Sequence, residues 1–109
     1  MKQYELWWAD LPSPVGRRPV LLLSRDPSYA YLERVLAAEV TTHVRGIPQE
    51  LALGRPEGMT RRSVANLDNL RAVPRSRLDT RIGSLSARRI PELKRALGYA
   101  LDWEELKDV

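Results

Sequence analysis

No cysteine occurs among the 109 residues, which excludes a disulfide framework, a thiolate nucleophile and any cysteine-based metal site. Histidine occurs once, as His43, so there is no paired-histidine metal motif, and any Ser–His–Asp triad would have to use that residue. The carboxylates are scattered and form no tight acidic cluster of the kind a two-metal nuclease requires. No metal or other cofactor is therefore expected. A glycine-rich phosphate loop and a dinucleotide fingerprint are both missing. No apolar run approaches the length of a membrane span, and the opening Met1-Lys2-Gln3-Tyr4-Glu5 lacks the apolar stretch of a signal peptide. The expected location is the cytoplasm, with no membrane partner. Lysine is also scarce. Only Lys2, Lys94 and Lys107 stand among the 18 basic residues; the rest are arginine.

With 43% hydrophobic and 29% charged residues, the composition is that of an ordinary soluble globular chain. Residues 1–109 amount to one domain, whose modest core favours sharing apolar surface with a second copy. The net charge of +4 permits a nucleic-acid partner without demanding one. Arginine's planar fork suits phosphate and base contacts, although a GC-rich genome would enrich arginine equally.

The pattern along the chain is many short strands followed by one amphipathic helix. Residues 4–9 are aromatic-rich and read as a strand, and residues 10–17, with two prolines and a glycine, as a loop. Residues 19–24 form a continuous apolar run, as in a buried strand, and residues 25–28 a turn. Residues 29–40 are ambiguous: their composition favours a helix, while the β-branched Val40-Thr41-Thr42 favours a strand. Further strands are expected at residues 49–53, 63–67, 70–73 and 80–85, with loops at 54–62 and 74–77 and a break at Asp68-Asn69. Ile90, Leu93, Leu97, Ala100 and Leu101 then fall on one helical stripe. Ser86 is the expected N-cap. Pro91 pushes the regular helix to begin near Ile90, after a tight turn over 87–89. Residues 102–109 read as a polar tail anchored by Trp103.

If the chain is an enzyme, its chemistry falls to arginine, hydroxyl and carboxylate groups. RNA strand scission suits that set, because RNA carries its own nucleophile, the 2′-hydroxyl, beside each phosphate. The protein then needs only to align that hydroxyl and stabilise charge on the phosphorane, as an arginine and a threonine can do.

Several blocks resemble the MazF/PemK family of toxin endoribonucleases. Glu5-Leu6-Trp7-Trp8 resembles the family's aromatic first strand, and Gly16-Arg17-Arg18-Pro19-Val20-Leu21-Leu22-Leu23-Ser24 its arginine–proline second strand. Ala38-Glu39-Val40-Thr41-Thr42-His43-Val44-Arg45-Gly46 resembles the threonine strand and the basic turn after it. Glu50-Leu51, Ser63-Val64-Ala65-Asn66-Leu67-Asp68-Asn69-Leu70-Arg71 and Gly83-Ser84-Leu85-Ser86 follow in the family's order. The resemblance implies a mainly β, SH3-like small barrel with a C-terminal helix, and hence a strand near residues 35–42. It further implies a homodimer that cuts single-stranded RNA at a short motif, and an antitoxin whose acidic tail blocks the groove. By position, the catalytic pair it implies is Arg18 and Thr41.

Arg17, Thr42, His43, Arg45, Arg61 and Arg62 are the candidate RNA-binding residues. Each also has an ordinary reading as a solvated side chain. Thr41 and Thr42 should face opposite sides of the sheet, and His43 should share the side of Thr41 if the strand runs on. Of Trp7 and Trp8, one is expected in the core and the other at an interface. Asp68, Asn69 and Arg71 read as a structural turn. Glu39 stands where many family members carry a small or apolar residue, and is expected to point outward or to set a like-charge boundary for RNA. A non-enzymatic, gyrase-binding toxin on a CcdB-like barrel is the alternative, as is an inactive member that only binds RNA or antitoxin.

Overall fold

A computed structural model describes residues 1–109. Six strands run β1 (Glu5–Asp10), β2 (Arg17–Leu22), β3 (Arg34–Thr41), β4 (Glu50–Leu53), β5 (Ser63–Pro74) and β6 (Leu78–Ser84). Helix α1 (Ile90–Leu101) and a single-turn α2 (Glu104–Lys107) follow. The strands form one curled antiparallel sheet in the order β4-β5-β3-β2-β1-β6, a half-barrel with the helix packed on one side. No helix is long and apolar enough to cross a membrane.

The central strands are buried on both faces, which is why β2 reads as an unbroken apolar run. Leu21 faces the layer under α1, together with Leu6, Ala38, Leu51, Leu93 and Ala96. Val20 and Leu22 face a second cluster with Ala9, Val35, Ala37, Val73 and Tyr29. The same position settles residues 34–41 as strand. Ala37 and Ala38 are helix formers by propensity, but they lie wholly buried between two apolar layers, where small side chains let strands pack closely.

Some local expectations need correction. The two strands expected at 63–67 and 70–73 are one strand, β5. Its ladder slips between them: β3 advances from Ala38 to Glu39 while β5 advances from Leu70 to Asn66. The Asp68 N–H donates to Asn66 Oδ1 at 2.9 Å inside that irregularity, so the side-chain-to-backbone bonding expected of Asn and Asp occurs within a strand. The turn at 25–28 extends into a 3-10 turn, Asp26–Ala30. Ser86 makes no capping hydrogen bond. Helix α1 begins with Pro91 in its first turn, where a missing N–H costs nothing, and Arg89 ties that end to Glu92 at 2.7 Å and to Glu57 at 3.2 Å. Trp103 does not pack back and is 51% exposed. The tail is held instead by the Trp103 N–H, which donates to the Gly98 carbonyl at 2.8 Å, by Lys107, which lies over the Tyr99 ring at 5.3 Å, and by Arg95, which donates to the Val109 carbonyl.

At the other end of the chain, Glu5 fastens the N-terminus to β1 and β6. Its carboxylate accepts from the Lys2 N–H at 2.9 Å, the Trp7 indole at 3.0 Å and Arg81 Nε at 2.9 Å. Burial pushes the Glu5 carboxyl up, but these three donors outweigh it and hold the group below its ordinary value of 4.5. A carboxyl lowered on folding stabilises the fold above its unfolded value and loses that contribution as pH falls through the folded one. Glu5→Gln is therefore expected to lose less melting temperature than the unaltered protein between about pH 6 and about pH 3, measured by circular dichroism. Parallel losses in the two proteins would show that Glu5 carries none of the acid sensitivity.

Candidate nucleic-acid interface

The ladder between β2 and β3 sets Val20 opposite Glu39. Two residues beyond that pair, at the start of β2 and the end of β3, stand Arg18 and Thr41. Directly opposed residues share a face, with Cβ atoms about 5 Å apart. By the alternation of each strand, Arg18 shares the face of Val20 and Thr41 that of Glu39, so the two project from one face. Because both strands end there, Arg17, Arg18, Thr41 and Thr42 all line a single cavity of about 380 Å³. Trp8 on β1 and Thr60, Arg61 and Ser63 from the segment entering β5 complete much of its wall.

Arg18 is half-buried, and its Nη1 lies 3.5 Å from Glu39 Oε1. The Thr41 hydroxyl oxygen accepts the His43 backbone N–H at 3.1 Å, which turns the chain at the strand end. Since that bond uses the oxygen as acceptor, the hydroxyl proton stays free to donate. Arg17 lies over the Trp8 ring, 5.0 Å from its centroid, and pairs with Asp79. The hydrogen bond from Arg17, helped by Thr80, holds the Asp79 carboxyl below the usual aspartate range.

Of the residues expected to bind RNA, Arg17, Thr42 and Arg61 thus join Arg18 and Thr41 at one cavity. His43, Arg45 and Arg62 do not line it, and all three are exposed. Arg45 sits in a turn fixed by Glu50, whose carboxylate accepts the N–H groups of Arg45 and Gly46 at 2.9–3.2 Å. Trp7 packs against the second core cluster, while Trp8 belongs to the cavity wall.

Glu39 contradicts the expectation placed on it. It points inward, its side chain 11% exposed, and meets arginines from both neighbouring strands. Arg71 reaches Glu39 Oε2 with Nη2 at 2.8 Å and Nε at 2.9 Å, while Arg18 stands off at 3.5 Å. A carboxylate buried this far persists only if it is paired. Arg71 is accordingly no turn residue. One signal could have revealed the cluster: Glu39 lies two residues from Thr41 on a strand, and so on the same face as Arg18. Nowhere do three histidine, aspartate or glutamate side chains lie together in a way that could hold a metal ion. The cavity instead concentrates guanidinium groups, hydroxyls and one indole, a set suited to a polyanion with aromatic bases.

The sequence model for the PemK-like, MazF-like toxins of type II toxin–antitoxin systems matches residues 2–101. The chain belongs to this toxin family. Among its relatives is the probable endoribonuclease MazF5 of Mycobacterium tuberculosis, 38% identical over 90% of this chain and 90% of that protein. The solved toxin MazF-mt6 of Mycobacterium tuberculosis superposes with a TM-score of 0.84 at 35% identity, covering 90% of this chain and 96% of that one. A mycobacterial endoribonuclease in complex with its cognate antitoxin superposes at 0.82 with 25% identity, covering 94% and 96% of the two chains. The curled sheet with its C-terminal helix is thus the MazF fold. The arginine–proline and threonine strands of this MazF-family chain lie side by side at its centre.

Proposed function

We propose that this MazF-family toxin is an endoribonuclease that cuts single-stranded RNA at a short motif by attack of the 2′-hydroxyl on the adjacent phosphate, without a metal. The observation that carries the reading is the convergence of Arg18 and Thr41, from the facing ends of adjacent strands, onto one cavity. The 2′-oxygen bonds to phosphorus, the bond to the 5′-oxygen breaks, and the products are a 2′,3′-cyclic phosphate and a 5′-hydroxyl. Water takes the proton from the 2′-hydroxyl and supplies one to the leaving oxygen. Arg18 donates to the non-bridging oxygens as charge builds there, and the free Thr41 proton fixes the orientation of the phosphate. His43 assists through its backbone N–H, which positions the Thr41 oxygen.

Arg17, Thr42 and Arg61 would hold the flanking phosphates within the cavity, and Trp8 offers a ring face to a base. His43, Arg45 and Arg62 would extend the basic track beyond it. A second copy of the chain would complete the groove, and an antitoxin's acidic tail would occupy it in competition with RNA. The relative solved with its cognate antitoxin supports an antitoxin as the partner.

Incubation with a long unstructured RNA in EDTA tests the reading. Fragments ending in 2′,3′-cyclic phosphate and beginning with 5′-hydroxyl are expected at an undiminished rate. Cleavage that stops in EDTA, or fragments bearing 5′-phosphate, would refute the mechanism. Intact RNA would return the chain to the non-enzymatic alternatives.

A further inference from the structure

The two oxygens of the buried Glu39 carboxylate are shared unequally between two arginines. Oε2 takes both close contacts from Arg71, at 2.8 and 2.9 Å, whereas Oε1 faces Arg18 across 3.5 Å. The sheet enforces this arrangement. Strand β3 lies between β2, which carries Arg18, and β5, which carries Arg71. Arg71 opposes Ala37, two residues from Glu39 and on the same face. The slip in the ladder at Glu39 adds the extra β5 residues beyond Leu70, leaving Arg71 on the regular side of it. Neither Glu39 nor Arg71 lines the cavity.

From this we infer that Arg71 is a positioning residue whose task is to occupy Glu39 and so leave Arg18 available to the scissile phosphate. The inference rests on the reading of Arg18 as the phosphate-stabilising group. A carboxylate and a phosphodiester compete for the same guanidinium fork. With Arg71 in place, Glu39 steadies Arg18 through one long contact, and the other N–H groups of Arg18 remain free. Without Arg71, the unpaired buried carboxylate closes on Arg18, the nearest remaining cation, and withdraws it from the cavity. Glu39 is then an internal competitor for the active-site arginine, and Arg71 is what keeps it in check.

A rescue experiment tests this. Single-turnover cleavage of a saturating single-stranded RNA is measured for the unaltered protein, Arg71→Gln, Arg71→Gln with Glu39→Gln, and Arg18→Ala, with folding checked by circular dichroism. Arg71→Gln is expected to cut at least about tenfold more slowly, and adding Glu39→Gln to restore the rate to within about threefold of the unaltered protein. A merely structural role for Arg71 predicts no rescue, because the second change removes a further native partner. An unslowed Arg71→Gln protein, or a double variant as slow as the single one, overturns the inference while an inactive Arg18→Ala leaves the catalytic reading standing. Cleavage retained in Arg18→Ala overturns that reading, and this inference with it. Should Arg71→Gln not fold, Arg71→Lys replaces it, since one ammonium secures the carboxylate less completely than a fork. The same slowing, of about threefold or more, and the same rescue by Glu39→Gln are then expected, and their absence counts against the inference in the same way.

Discussion

Arg18→Ala is expected to lower the rate of RNA cleavage by at least about 10²–10³-fold while leaving the fold intact. The magnitude follows from where the charge develops. A donor aimed at an oxygen that gains charge only in the transition state acts on the chemical step, and removing one such donor costs about 3–4 kcal/mol of barrier. Arg18 combines a donor fork with a permanent charge, so its loss falls at the upper end of that range. The fold survives because little structural interaction is lost. Arg18 is half-buried, its one ion pair is long at 3.5 Å, and Glu39 keeps the two closer contacts from Arg71. The loss of stability should stay within about 1 kcal/mol. Thr41→Ala acts in the same direction with a smaller effect, because the lost group is a single neutral donor. In the proposed chemistry the two side chains serve one phosphate, so the double variant should be little slower than Arg18→Ala alone. Cleavage by folded Arg18→Ala within a few-fold of the unaltered rate would remove the basis of the proposed chemistry.

How far the sequence exposes such a site depends on how local its parts are. Arg18 and Thr41 were legible because each sits in a compact block, arginine before proline and threonine after valine, whose order along the chain resembles the family. The strand at 34–41 was legible only through that resemblance. Its alanines and leucine favour a helix in isolation, and what decides against helix is burial between two layers, a tertiary effect that composition does not carry. Arg71 was illegible for a related reason. It reaches Glu39 from a strand 32 positions further along the chain, across a register set by an irregular ladder. Asp68-Asn69 look like a turn because asparagine and aspartate bond to nearby backbone, and Asn66 does so here to the Asp68 N–H, but inside a continuous strand. Trp103 misled in the opposite sense. A tryptophan in a polar tail suggests an anchor, yet the tail is fixed by the Gly98 carbonyl, by Lys107 over Tyr99 and by Arg95.

Gly83→Ala is expected to destabilise the protein by about 3 kcal/mol, a fall of roughly 10–20 °C in melting temperature for a domain of this size. Strand β6 is one edge of the sheet, and the 3-10 turn Arg55–Glu57 follows β4, the other edge. The two meet backbone to backbone. A Cβ on Gly83 would lie 2.1 Å from the Glu57 carbonyl oxygen and 2.8 Å from its carbon. A Cβ on Gly58 would lie 2.5 Å from the Ile82 carbonyl oxygen, and Gly58 also holds a φ of +93°. Main chain is a poor neighbour to displace, and this turn is clamped from its own side. Buried Glu57 accepts the Gly54 N–H at 2.7 Å and pairs with Arg89 at 3.2 Å. An alanine methyl therefore has to push the edges apart rather than find space. The displaced turn leads straight into Met59, Thr60 and Arg61, which line the cavity, so RNA affinity should weaken along with stability. The two variants thus act on separate links. Arg18→Ala should slow the chemical step with the melting temperature nearly unchanged, whereas Gly83→Ala should lower the melting temperature and raise KM with Arg18 and Thr41 still in place. A Gly83→Ala protein that melts within about 2 °C of the unaltered chain would show that the edges yield at little cost, and that the cavity does not depend on this contact for its shape.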